Sequence, residues 1–138
     1  MNDRYLFRAK RKNWKQLTKE MWWVEGYLYG IWERRYILWG MINDVPDMIE
    51  VDPSTICQCT GLKDKNGKLI WENDVVAYWD AYSTENGYAE ADCVGKVIWD
   101  NETLSFQVTE RLSAESYEVL DDCSVIGNIF DNPEFLNE

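Results

Sequence analysis

Runs of β-branched and aromatic residues cut by Asn-Gly steps constrain this chain more than any other feature. Asn66-Gly67 and Asn86-Gly87 are strong turn signals, because both residue types accept positive φ. Around them the apolar segments are short. Asp3–Ala9 alternates weakly and suits a strand. Trp22–Tyr29 and Arg35–Trp39 predict two strands joined near Gly30–Arg34, since Gly26 and Gly30 disfavour a helix there. Pro46 and Pro53 mark turns on either side of a short strand at Ile49–Asp52. Val75–Trp79 and Lys96–Trp99 read as strands, and Ala81–Asp92 as a long loop or a hairpin tip. Leu104, Phe106 and Val108 alternate with polar residues, predicting one buried and one wet face. Leu112–Val119 is a short helix or an irregular connection, and Cys123–Phe130 a final strand.

This spacing predicts a mainly all-β fold. A small, partly open β-barrel occupies the C-terminal part, with an N-terminal β-hairpin extension. Two regions, 1–50 and 51–138, are expected to form one folded unit. With 138 residues and 46% hydrophobic composition, the chain is long enough for a core without staples. No apolar run approaches the roughly 20 residues needed to cross a bilayer, and nothing resembles a signal peptide. The expectation is therefore a soluble protein of the cytoplasm, here that of a bacterial host, with no membrane partner.

Charge narrows the function. The net charge of −11 argues against general nucleic-acid binding. It is unevenly spread: residues 1–40 hold nine basic and four acidic side chains, net +5, and the remainder five basic and 21 acidic, net −16. Arg4, Arg8, Lys10, Arg11, Lys12 and Lys15 form a candidate basic patch. The absence of histidine removes the commonest general base at neutral pH and the commonest metal ligand. Of the four cysteines, only Cys57 and Cys59 are close in sequence, so a four-thiolate metal site requires Cys93 and Cys123 to converge on them. Buried reduced thiols are the simpler expectation, with no metal and no cofactor.

Two long segments carry a resemblance. Val51–Val76 contains Thr60-Gly61-Leu62-Lys63-Asp64-Lys65-Asn66-Gly67 followed by Trp71-Glu72-Asn73-Asp74, and Val125–Leu136 contains Gly127-Asn128-Ile129-Phe130-Asp131-Asn132-Pro133. Together with the opening Phe7-Arg8-Ala9, they resemble the YopX family of phage and prophage proteins in the same order along the chain. One departure is Asn73, where the family pattern has glycine; asparagine tolerates the left-handed conformation better than other non-glycine residues. The resemblance implies a small β-rich phage-type protein with a barrel-like C-terminal region and no established enzymatic chemistry. Physically, Thr60, Gly61, Asp64, Asn66, Gly67 and Asp74 read as a structural turn motif. Asp64 can bond the backbone of the Asn66-Gly67 turn, and Asp74 can hold the start of the next strand. A catalytic reading would instead group Lys63, Asp64 and Asp74.

Eight tryptophans and eight tyrosines exceed what a small barrel encloses. Trp22, Trp23, Trp32 and Trp39 are therefore candidates for an oligomer interface. The expected function is a non-enzymatic, self-associating protein-interaction module whose partners are itself and a host or phage protein. The alternative is a nucleic-acid accessory protein acting through the basic aromatic N-terminal segment.

Overall fold

The computed structural model describes residues 5–42, 45–85, 87–112, 116–119 and 122–137. Among them the protein is mostly antiparallel strand, and its helical turns are 3-10 turns of three or four residues. No helix among the described residues is long and apolar enough to cross a membrane. The chain divides into two compact units, Met1–Cys59 and Thr60–Glu138.

The first unit holds β1 (Phe7–Lys10), β2 (Trp23–Ile31), β3 (Arg34–Ile42), β4 (Val45–Val51) and the start of β5 (Cys57–Lys63). Their order in the sheet is β4-β3-β2-β1-β5; the part of β5 beyond Cys59, with its partner β6 (Leu69–Trp71), belongs to the second unit. The expected hairpin is β2–β3, with Ile31 opposite Arg34 across a two-residue turn. It is not a two-stranded extension, because β1 pairs with β2 on one side and β4 with β3 on the other.

Four residues, one from each of β1 to β4, fill the centre of this unit: Ala9, Val24, Ile37 and Val51. Phe7, Leu28, Ile49 and Ile56 pack around them. Bringing one residue from every strand together requires the sheet to coil. Gly26 sits where β2 changes from pairing with β1 to pairing with β3, and a Cβ there would lie 2.1 Å from the Leu38 carbonyl oxygen. Only glycine permits that approach. Beyond β1 the chain reaches β4: Arg11 bridges Val51, and Lys12 N–H donates to Glu50 O at 3.0 Å.

The second unit holds β6, β7 (Asp74–Thr84), β8 (Gly87–Asp100), β9 (Ser105–Glu110), β10 (Ser116–Glu118) and β11 (Ser124–Asn128). A five-stranded antiparallel sheet runs in the order β10-β9-β8-β7-β11. Ile70, Val76, Val97, Val108 and Cys123 form its buried core, with Tyr78, Phe106, Val119 and Val125 against them. The all-β class therefore holds, but the sheets are not closed into a barrel. Closure needs hydrogen bonds between the first and last strands. Here those strands are β10, three exposed residues paired with β9, and β11, and no ladder joins them among the described residues.

Three local readings are refined by the structure. Leu104 is not on the buried face of β9; it lies in the preceding turn, exposed, with φ 53. Asp100 organises that turn, accepting from Glu102 N–H at 2.9 Å, so β9 begins one residue later and buries Gln107 beside Val108. The segment 81–92 is mostly strand, belonging to one long hairpin with Thr84 opposite Gly87, while Asn86 lies outside the described residues. Within Leu112–Val119, expected as a short helix or an irregular connection, Ser116–Glu118 is strand.

Candidate functional site

The turn motif forms one connected structure in the second unit. Asp64 directly follows β5 and is 5% exposed. Its Oδ1 accepts from the backbone N–H groups of Asn66 and Lys68, each at 2.9 Å, and its Oδ2 accepts from Val125 N–H at 2.9 Å. Burial alone would raise the Asp64 carboxyl above its ordinary range, but the Val125, Lys68 and Asn66 amides, helped by the Lys68 charge, hold it below. The same aspartate thus fixes the turn after β5 and caps the outer edge of β11. Lys65 N–H adds a bond to Cys123 O at 3.0 Å.

Gly61 and Gly67 both have φ 81, and Thr60 Oγ1 donates to Ile70 O at 2.7 Å. Asp74, 1% exposed, accepts from Trp71 N–H at 2.8 Å through Oδ2. Between them Asn73 sits at φ 70, the left-handed conformation expected where the family pattern has glycine. Asn73 O accepts from Ile129 N–H at 3.0 Å, which ties this bend to the closing segment. There Asn128 Oδ1 accepts from Phe130 and Asp131 N–H groups at 3.0 and 2.9 Å. A Cβ at Gly127 would come within 2.4 Å of Asn132 Oδ1. The carboxylates of Asp64 and Asp74 are turned onto backbone amides, while Lys63 is exposed at the surface.

The candidate basic patch is rearranged. Arg4 lies outside the described residues. Lys10 is 2% exposed, with its ammonium 3.8 Å from the ring centre of Trp14, 4.3 Å from Trp22 and 5.5 Å from Trp23. Trp14 and Trp22 meet edge to face at 5.1 Å. The indole N–H groups point away from the cation: Trp22 Nε1 donates to Leu17 O at 3.0 Å and Trp14 Nε1 to Asp52 Oδ2 at 3.3 Å. Burial would raise the Asp52 carboxyl, but bonds from Ser54 and Trp14, and the nearby Lys15, hold it low. This aromatic cage is filled by the chain's own lysine. Arg8 stacks its guanidinium 4.9 Å from the Trp23 ring, Arg11 donates to Met21 O, and Lys12 pairs with Glu50 at 3.1 Å. Lys15 is exposed. No local sequence signal marks the cage, because Lys10 meets Trp23 only through the β1–β2 register.

The four candidate interface tryptophans do not form one patch. Trp22 and Trp23 are half-buried against the basic side chains. Trp23 and Trp39 line an open depression with Arg11, Val24 and Glu25, and Trp39 is 49% exposed. Trp32 occupies the β2–β3 turn at the opposite end of the hairpin, 93% exposed, with φ 56. Its carbonyl accepts from the Arg35 guanidinium at 2.9 Å. From Trp32 the outward face of β2 carries Ile31, Tyr29 and Tyr27, all exposed.

The four cysteines form no disulfide, and no group of metal-ligating side chains occurs among the described residues. The sequence model of the family described as YopX protein matches residues 6–137. The chain is similar to the crystal structure of protein EF1440 from Enterococcus faecalis, with 22% identity over 95% of this chain and 96% of that one, and a TM-score of 0.48. A comparison with curated proteins finds no match.

Proposed function

Because the chain belongs to the YopX protein family, we propose that it serves as a non-enzymatic, self-associating interaction module of the phage and prophage type to which its sequence patterns point. The observation that carries this reading is Trp32. A tryptophan 93% exposed at φ 56 violates two local preferences at once, one for burying large rings and one for negative φ. Strain and exposure concentrated in one residue of a hairpin tip are expected where another molecule takes up the side chain. The adjoining Ile31, Tyr29 and Tyr27 extend an apolar face along β2, of the kind that marks an interface.

The carboxylates that a catalytic reading would use support the same view, since Asp64 and Asp74 are spent on backbone amides. The nucleic-acid alternative loses its central cation, as Lys10 is enclosed by indole rings rather than presented to phosphate. Light scattering at micromolar concentration tests the proposal. An oligomer mass is expected, and Trp32→Glu or Trp39→Glu shifts it toward the monomer with the strands intact. A monomeric wild-type protein overturns the reading.

A further inference from the structure

The longest hairpin of the second unit extends well beyond its sheet. β11 pairs with β7 only over Asp74–Ala77, and β9 pairs with β8 from Gly95 onward, with Arg111 N–H reaching Val94 O at 2.9 Å. Past that point six successive pairs, from Trp79 opposite Asp92 to Thr84 opposite Gly87, form a two-stranded ribbon. Among the described residues no strand pairs with either of its edges. At about 3.4 Å per residue it projects roughly 20 Å. A free two-stranded ribbon is marginal in water, so a chain that maintains one this long requires a compensating contact.

The composition of the ribbon selects the contact. Residues 79–92 contain Asp80, Glu85, Glu90 and Asp92 and no lysine or arginine, a net charge of −4. Two ribbons placed edge to edge would oppose like charges, which disfavours pairing of one arm with another. The complementary surface is in the first unit. Residues 11–19, between β1 and β2, contain Arg11, Lys12, Lys15 and Lys19 and no acidic residue, a net charge of +4. Lys12, Lys15 and Lys19 are exposed there, on a loop pinned by the Trp14–Trp22 contact and by two 3-10 turns.

We infer that the β7–β8 ribbon is a docking arm, and that its seat is the 11–19 loop of a second copy of the chain. The inference rests on the proposed self-association and assigns it a second contact, separate from Trp32. With Lys12 paired to Glu50, Lys15 and Lys19 are the exposed cations that face the acidic ribbon; opposite charges orient the two surfaces and speed their encounter, and the ribbon supplies backbone hydrogen-bonding groups.

The experiment compares the sedimentation of four samples at about 0.05 M and about 0.5 M salt, where screening differs severalfold in range. These are the wild type, Glu85→Lys with Asp92→Lys, Lys15→Glu with Lys19→Glu, and an equimolar mixture of the two reversed proteins. Each reversal is expected to raise the dissociation constant about tenfold or more at low salt, and the mixture to recover association as a hetero-oligomer. A fifth sample, a protein with residues 80–91 replaced by Asn-Gly so that Trp79 still faces Asp92, keeps the sheet and is expected to lose the same contact. Reversed or shortened proteins that associate like the wild type overturn the inference, as does a mixture that fails to recombine. If Trp32→Glu dissociates the protein while the ribbon variants do not, self-association stands and the docking arm falls. A monomeric wild type removes both.

Discussion

Replacing Asp64 by asparagine exchanges one oxygen of a carboxylate that closes the second unit for an NH2 group, and its effect follows from the three amides that the side chain holds. Oδ1 serves the Asn66 and Lys68 N–H groups, and Oδ2 serves Val125 N–H, 61 residues away. An asparagine has one acceptor oxygen. Placed to keep the turn, it sets its NH2 against the Val125 N–H, so two donors face each other. Hydrogen bonds to a charged group contribute about 1.5–3 kcal/mol each, and the loss of the Val125 bond places Asp64→Asn in that range. Asp64→Ala removes all three. Since Asn66 and Lys68 are exposed and water can reach their amides, its cost is about 3–4 kcal/mol rather than the full sum. Against a total stability of about 5–15 kcal/mol either change is large.

Guanidinium unfolding gives the energies, and hydrogen exchange at the Val125 amide locates them. The pH dependence provides a second check. The Asp64 carboxyl is held below its ordinary value of 3.8, so it binds a proton more readily in the unfolded chain than in the folded one. Its contribution is therefore fully present above that ordinary value and is lost as pH falls through the lower folded value. The difference in stability between wild type and Asp64→Asn should be constant near neutrality and shrink below about pH 4. A cost under about 0.5 kcal/mol with unchanged Val125 protection would refute the reasoning, because that is the size of an ordinary surface substitution. So would a difference that stays constant down to pH 3.

Other substitutions test other parts of the structure. Gly26→Ala places a methyl group 2.1 Å from the Leu38 carbonyl oxygen, and is expected to cost about 3 kcal/mol or more by urea unfolding, since backbone rather than a flexible side chain must move. Asn73→Gly should change stability by a few tenths of a kcal/mol, whereas Asn73→Val should cost about 1–2 kcal/mol at φ 70, both read by thermal unfolding. Lys10→Ala removes the cation between Trp14 and Trp22 together with its buried stem, and should lower stability by about 2–4 kcal/mol with a red shift in native tryptophan fluorescence. Trp32→Gly relieves the φ 56 backbone, so it should hold or raise stability by about 1 kcal/mol while weakening self-association in light scattering.

The strands were legible where local chemistry decides them. The aromatic runs at Trp22–Tyr29 and Arg35–Trp39 became β2 and β3, and the tolerance of Asn73 for positive φ was readable from its residue type. What depends on pairing was not. The bond from Asp64 to Val125 joins two motifs that sequence treats as separate, and the burial of Lys10 depends on facing Trp23 in the β1–β2 register. The expected barrel was lost for a related reason. Strand spacing counts strands, but closure depends on which edges meet, and three-residue β10 cannot supply a closing ladder. Leu104 failed because the Asp100 turn overrode its place in an alternating run.

The residues that carry the family resemblance and the residues offered for interaction are different sets, and physics separates them. Asp64, Asp74 and Asn128 are buried, and their polar atoms face backbone groups of their own unit, so their chemistry is used in folding. Trp32, the Tyr27–Ile31 face and the 79–92 ribbon lie outside those motifs; neither the exposed aromatics nor the ribbon, which no further strand flanks among the described residues, belongs to either core. A change at Asp64 should therefore unfold the protein before it alters a partner, whereas a change at Trp32 or on the ribbon should alter association in a protein that remains folded. The first set fixes the scaffold of the second unit. The second set lies at hairpin tips, away from both cores, so substitutions there leave the cores intact.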